Sequence, residues 1–315
     1  MRQTRIVFAI MLFLTWAATA SAIEIVEADW LKAHLDDKGL RIVSVPEKAE
    51  AIAGEHKKGV VHIPNSVIVN RYLDLGNVYS VPPTQYPTKD QFEKLMSSIG
   101  VDKDSTVVAY DDKYGIFASR LLVIMEYYGH DTKKLKLLNG GQVHWAKLGY
   151  PLVEKHADIT QTRYVVDKMN PVVITWSDVY RDFVVAPEGQ QNDKMILLDV
   201  RPEDEYSGKK IRSIRGGHIP HAINITGTDA NNKEDHTFKS KEEIQKLFAE
   251  KGVVPGKTIY TYCHSGDSTA HAYIILKYIL GIDDVKIYAT SWTEWATILS
   301  LPVEGEVWYT EKAQQ

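Results

Sequence analysis

Cysteine is almost absent: one, Cys263, stands among 315 residues. A single thiol excludes an internal disulfide, and the eleven histidines never fall at metal-ligand spacing with it, so no metal-site pattern is present. Positive charge is not in excess, since the formal net charge is −4, and this gives no reason to invoke nucleic acid or anionic lipid as a partner. Long apolar runs are also missing. The one near the start, Ile6 to Trp16, is short for a membrane span. Arg2 and Arg5 precede it and Ala20-Ser-Ala22 follows, which is the pattern of a secretory signal peptide over residues 1–22, cut after Ala22. The expectation is a periplasmic or secreted protein without membrane attachment once cleaved; an uncleaved anchor is the alternative. Removing 22 residues of 315 leaves 293, and losing Arg2 and Arg5 takes the charge from −4 to −6. That length accommodates two domains with separate cores.

What is present is one plan used twice. In the first half, Glu27 to Leu35 has helical spacing, Leu40 to Val45 reads as a buried strand and His62-Ile-Pro-Asn-Ser66 as a turn. Thr88 caps a helix Lys89 to Ile99, Thr106 to Tyr110 is a strand, and Ile116 to Tyr128 is a helix closed by Gly129. Leu135 to Leu138 and Gln142 to Leu148 complete the half. The second half repeats the order: helix Thr175 to Phe183, strand Met195 to Val200, turn His218-Ile-Pro-His-Ala222, Ser240 capping Lys241 to Lys251, strand Thr258 to Tyr262, helix Thr269 to Leu280, then Val285 to Tyr288 and Ser291 to Ile298. Gly100 and Gly252, Tyr110 and Tyr262, and Gly129 and Gly281 are each 152 apart, while Trp145 and Trp295 are 150 apart. Such regular spacing indicates a duplication. The halves are expected as α/β domains, each a mostly parallel sheet flanked by helices, at 23–158 and 171–315 with a linker at 159–170.

The asymmetry between the copies locates the chemistry. Cys263-His-Ser-Gly-Asp-Ser268 lies between a strand and a helix, at the C-terminal end of the strand, where such sheets bind ligands. A loop of this kind can turn backbone N–H groups toward the sulfur, and the helix N-terminus adds positive potential. Both favour thiolate, so a Cys263 pKa below about 8.5 is expected. Free cysteines are more often small buried hydrophobes, but Gly266, two serines and an aspartate flank this one. The matching position in the first half is Asp111, so thiol chemistry belongs to the second domain alone.

These residues resemble the tandem-domain rhodanese family of thiosulfate and 3-mercaptopyruvate sulfurtransferases. The resemblance rests on Leu198-Asp-Val-Arg201 with Glu205-Tyr206, Gly217-His-Ile-Pro220, the Cys263 loop, Ser291-Trp-Thr-Glu-Trp295, and Asn139-Gly-Gly141 with Trp145. It implies sulfur transfer through a persulfide on Cys263, from a small anionic donor to a thiol or cyanide, without metal or organic cofactor. The backbone of His264, Ser265, Gly266, Asp267, Ser268 and Thr269 would hold the anionic sulfur, with the two serine hydroxyls adding hydrogen bonds. Asp267 would repel either donor unless a cation offsets it. Glu205 stands where relatives carry an anion-binding arginine, so Arg215 and Arg212 are the expected substitutes. His62 is either a turn-stabilising residue or one that reaches Ser265 across a cleft. Asp199, Arg201 and Glu205 are expected to form an ion-pair cluster, and Trp145, Trp292 and Trp295 to be core. Two rival functions follow: a phosphatase of the same superfamily, which would need a longer loop closed by an arginine that this sequence lacks, and a persulfide or redox carrier serving a partner protein.

Overall fold

The computed structural model describes residues 22–48, 60–185 and 194–310. The expected signal peptide lies outside them except for Ala22. No helix among the described residues is long and apolar enough to cross a membrane.

The first domain carries strands β1 (Glu24–Val26), β2 (Leu40–Ser44), β3 (Ser66–Ile68), β4 (Thr106–Tyr110) and β5 (Leu135–Leu138), with helices α1 (Ala28–Ala33), α2 (Lys89–Ser98), α3 (Ile116–Tyr127) and α4 (Gly141–Lys147). Its sheet is parallel in the order β1-β5-β4-β2-β3. The second domain carries β6 (Val173–Ile174), β7 (Met195–Asp199), β8 (Arg215–His218), β9 (Ile223–Asn224), β10 (Thr258–Tyr262), β11 (Val285–Tyr288) and β12 (Glu304–Trp308). Its helices are α5 (Trp176–Val179), α6 (Glu203–Tyr206), α7 (Lys241–Ala249), α8 (Asp267–Ile274) and α9 (Ser291–Thr297). The parallel order here is β6-β11-β10-β7-β9, the same path strand for strand. An antiparallel pair, β8 with β12, is extra, and the sequence pattern did not reveal it.

Local signals explain most of these elements. Thr88 with Gln91 and Ser240 with Glu243 form capping boxes that open α2 and α7 by satisfying two orphan donors each. The central strands β4 and β10 are covered on both faces, which is why Val107 to Tyr110 and Ile259 to Tyr262 are buried without alternation. The linker has no regular structure, yet it is not a loose tether. Tyr164 and Val166 are buried, and Thr162, Tyr164 and Val166 donate backbone N–H groups to Ser97 and Glu93 on α2.

The domains meet through α3 and α8, whose apolar residues belong to one continuous core. Across this contact Glu126 accepts from Tyr273 Oη at 2.9 Å and Lys277 Nζ at 2.8 Å. The helix expected from Thr269 begins instead at Asp267 and runs as a π-helix over residues 275–279. That π segment absorbs a residue. From Asp111 to Gly115 the first loop advances four positions, whereas Cys263 to Gly266 advances three, and the helix that follows is longer by one, restoring the 152-residue offset at Gly281.

Candidate active site

β10 delivers Cys263 to the rim of the second sheet, and Gly266, at φ 95°, turns the chain into α8. Only glycine fits there. A Cβ on Gly266 would stand 2.3 Å from the Ala289 carbonyl oxygen and 2.6 Å from Arg120 Nη1, in a backbone region that L side chains disfavour. The turn brings the Gly266 N–H to 3.1 Å from Cys263 Sγ. Backbone N–H groups of Thr269 and Ser265 also favour the thiolate. Of the six residues whose backbone was expected to form the cradle, three, Ser265, Gly266 and Thr269, act on the sulfur.

The direction in which the thiol pKa moves is nevertheless the reverse of expectation. Cys263 is 3% exposed, and burial, followed by the Asp267 carboxylate, pushes its pKa up by more than the three N–H groups pull it down. The sequence pattern foretold the donors but not the depth of burial.

A second element touches the sulfur. The loop from β11 to α9 places Ser291 Oγ 3.8 Å from Sγ; this hydroxyl accepts the Cys263 N–H at 3.1 Å and donates to the Tyr288 carbonyl at 2.8 Å. Ser291 holds φ at 56°, a costly conformation for a residue with a side chain, and its counterpart Gly141 has φ 53°.

The remaining expected residues separate into those the structure brings to the loop and those it does not. Ser265 Oγ donates to Asp267 Oδ2 at 3.3 Å and so is spent within the loop. Ser268 lies half-buried in the first turn of α8, and Thr269 is buried with its hydroxyl against Thr261 Oγ1. His264 is neutral near pH 7, its pKa driven down to about 4 by burial and then by Arg212 and Arg201. Arg212 pairs with Glu205 at 3.0 Å, and Glu205 lies 3.8 Å from His264 Nδ1, so Arg212 is held by a carboxylate at the edge of the loop. The expected ion-pair cluster is thus split, with Asp199 taking Arg201 in a buried pair.

Arg215 is not a substrate ligand. Its guanidinium is buried and donates to the carbonyls of Trp295, Ala296, Ile298 and Leu301 and to Glu306, which caps the C-terminal end of α9. His62 does not reach Ser265 either. It is buried, stacks on His156 and bonds the Ile63 carbonyl, and its Nε2 has no hydrogen-bond partner among the described residues. His218 is held likewise, by the Tyr206 carbonyl and Glu304. Trp145, Trp292 and Trp295 are core residues.

The cations that offset Asp267 come from the first domain. Arg71 Nη1 lies 3.3 Å from Asp267 Oδ2 and Arg120 Nη1 lies 3.6 Å from Oδ1. Arg120 also donates to the carbonyls of Ser265, Leu75 and Thr84, tying the loop to the facing domain. Neither arginine stands out in the sequence, because nothing local reports which residues of one domain will face the loop of the other.

The comparisons agree with this architecture. Residues 27–148 and 186–298 match the Rhodanese-like domain family. The chain is 32% identical over 292 residues to the Thermus thermophilus "Sulfur carrier protein TtuD", covering 90% of this chain and 97% of that one. It is 33% identical over 288 residues to a Mycobacterium leprae protein named "Putative thiosulfate sulfurtransferase", covering 89% and 97%. Among solved structures, the SseA 3-mercaptopyruvate sulfotransferase of Escherichia coli superposes with a TM-score of 0.69 at 24% identity, covering 86% of this chain and 99% of that one, a likeness of fold. With the domain matched twice and relatives aligned along nearly their whole length, this chain belongs to the rhodanese family as a tandem of two Rhodanese-like domains.

Proposed function

We propose that the protein is a sulfurtransferase that carries sulfane sulfur on Cys263. The observation that carries this reading is the sulfur atom in a backbone N–H cradle at the N-terminus of α8. Cys263 loses its proton to solvent and its thiolate attacks the outer sulfur of thiosulfate. A new sulfur–sulfur bond forms on Cys263, the donor's own sulfur–sulfur bond breaks, and sulfite leaves with the bonding pair. With 3-mercaptopyruvate the attack falls on the thiol sulfur, the carbon–sulfur bond breaks, and pyruvate leaves after its carbanion takes a proton. Cyanide or a thiolate then attacks the outer persulfide sulfur and returns the electron pair to Cys263. Before attack as thiolate and after it as persulfide, Cys263 keeps negative charge on sulfur inside the cradle, the arrangement that stabilises an anion. The high thiol pKa makes deprotonation the step most sensitive to pH.

Purified protein lacking residues 1–22 tests the reading. Sulfite release from thiosulfate, or pyruvate release from 3-mercaptopyruvate, is expected to exceed that of Cys263→Ser by orders of magnitude; equal rates would remove the proposal. A second reading is supported by the sulfur carrier among the relatives: the persulfide passes to a partner protein instead of a small acceptor. It predicts that Cys263 becomes persulfidated, visible by mass spectrometry, while turnover with cyanide or small thiols stays low. Export is part of the proposal, and an N-terminus at Ile23 on protein recovered from the periplasm or medium checks it.

A further inference from the structure

The geometry points to Arg71, from the domain without a thiol, as the residue that binds the anionic end of the donor, by exchanging Asp267 for that anion. This rests on the sulfurtransferase reading above. The two donors proposed there are anions, and the loop around Cys263 carries a carboxylate of its own, so a cation with donors to spare must lie beside it. The arginines near the site differ sharply in what they have left. Arg215 and Arg201 are buried, their donors directed at carbonyls and carboxylates of their own domain. Arg120 has 3% of its side chain exposed and gives its donors to three backbone carbonyls and Asp267. Arg212 pairs with Glu205 and, among the described residues, makes no hydrogen bond or ion pair to the Cys263 loop.

Arg71 is different. Its guanidinium carbon lies 4.1 Å from the Tyr72 ring centroid and 4.0 Å from that of Phe117, so two aromatic rings hold it by cation–π contact. Its edge is less committed. Nη1 meets Asp267 Oδ2 at 3.3 Å, Nη2 meets the Tyr72 hydroxyl, and Nε is buried without a hydrogen-bond partner among the described residues. An unpartnered buried donor costs free energy until something accepts from it. A sulfonate or carboxylate presents two oxygens to such an edge at once, whereas Asp267 reaches it through a single contact. Arg71 keeps 13% of its side chain exposed beside Tyr72, which is 57% exposed, so the arginine lies where surface and loop meet. Displacing Asp267 Oδ2 also frees the Ser265 hydroxyl, which bonds that same oxygen, to serve the donor.

Exchange makes a prediction that a merely structural ion pair does not: its two partners respond in opposite directions. In sulfite-release assays Arg71→Ala is expected to raise KM for thiosulfate about tenfold or more with a much smaller change in kcat, and Arg71→Lys to fall between. Asp267→Asn, which removes the competitor and leaves Arg71 in place, is expected to lower KM. A parallel measurement needs no turnover: inorganic sulfate is expected to slow alkylation of Cys263 by neutral iodoacetamide in the unmodified protein and not in Arg71→Ala. The inference is overturned if both substitutions raise KM, if Arg212→Ala and not Arg71→Ala produces the KM rise, or if sulfate protection is absent or survives in Arg71→Ala. Arg71-dependent protection without any sulfite release would keep this site and overturn thiosulfate turnover; turnover indifferent to Arg71 would do the opposite.

Discussion

The loops at Asp111 and Cys263 are two solutions to the same problem, a ring of backbone N–H groups at a helix N-terminus that needs an anion. In the first domain the chain supplies the anion itself. Asp111 accepts from the N–H groups of Lys113 and Gly115 on one oxygen and of Phe117 and Ala118 on the other, at 2.7–3.0 Å. A carboxylate spans two oxygens and fills a loop one residue longer; a single sulfur fills the shorter one. Asp111 therefore closes its cradle to ligands, whereas Cys263 occupies its cradle with an atom that can react. The domains also divide the labour across the cleft, since the sulfur belongs to one and both cations on Asp267 to the other.

The widest contrast comes from removing the central side chains. Cys263→Ala should abolish sulfur transfer, at least a thousandfold by initial rates, whereas Asp111→Asn should leave kcat within about twofold. Next come the matched glycines. Gly266→Ala forces a Cβ against the Ala289 carbonyl and Arg120 and should lower activity roughly a hundredfold while costing several kcal/mol in urea denaturation. Gly115→Ala meets only Leu137 and His271 side-chain atoms, none nearer than 3.5 Å, and should cost just the strain of a left-handed residue, about 1–2 kcal/mol.

The third contrast is in pH. Burial raises the Asp111 pKa from 3.8 to about 6, against the pull of its four N–H donors. The folded state thus holds a proton that the unfolded state has released. That contribution to stability is complete below about pH 4 and is lost as pH rises through about 6, by up to roughly 3 kcal/mol. Urea denaturation should show this fall in the unmodified protein and not in Asp111→Asn, and Cys263→Ser should leave it intact. A smaller effect belongs to the thiol: Cys263 alkylation should titrate above the ordinary cysteine value, and Asp267→Asn should bring it down. Smallest is Ser291→Ala, expected to slow persulfide formation severalfold, because the hydroxyl lies 3.8 Å from sulfur and holds the Cys263 N–H.

What could be read from the sequence was whatever repeats or signals locally. The 152-residue offsets reflect two sheets of identical strand order, and the capping residues Thr88 and Ser240 appear where helices begin. The cysteine loop was legible because a polar loop between a buried strand and a helix has few uses. What stayed hidden depended on docking and depth. Arg215 looked available in a loop ahead of His218, but that stretch is β8, paired with a strand about ninety residues later, and its side chain is consumed capping α9. Arg71 and Arg120 carry no mark of the loop they face. The raised thiol pKa follows from how completely the domains cover Cys263, a quantity that no short pattern encodes.

A duplicated unit with Asp111 where its twin has Cys263 is ordinarily free to drift or be deleted. The core shared between α3 and α8, with Glu126 bound to Tyr273 and Lys277, withdraws that freedom. Deleting the first half would strip α8 of its apolar cover, leave Lys277 without its carboxylate and set the cysteine loop adrift from Arg120. The half without a thiol holds the loop that carries one, so its sequence answers to the other half's chemistry.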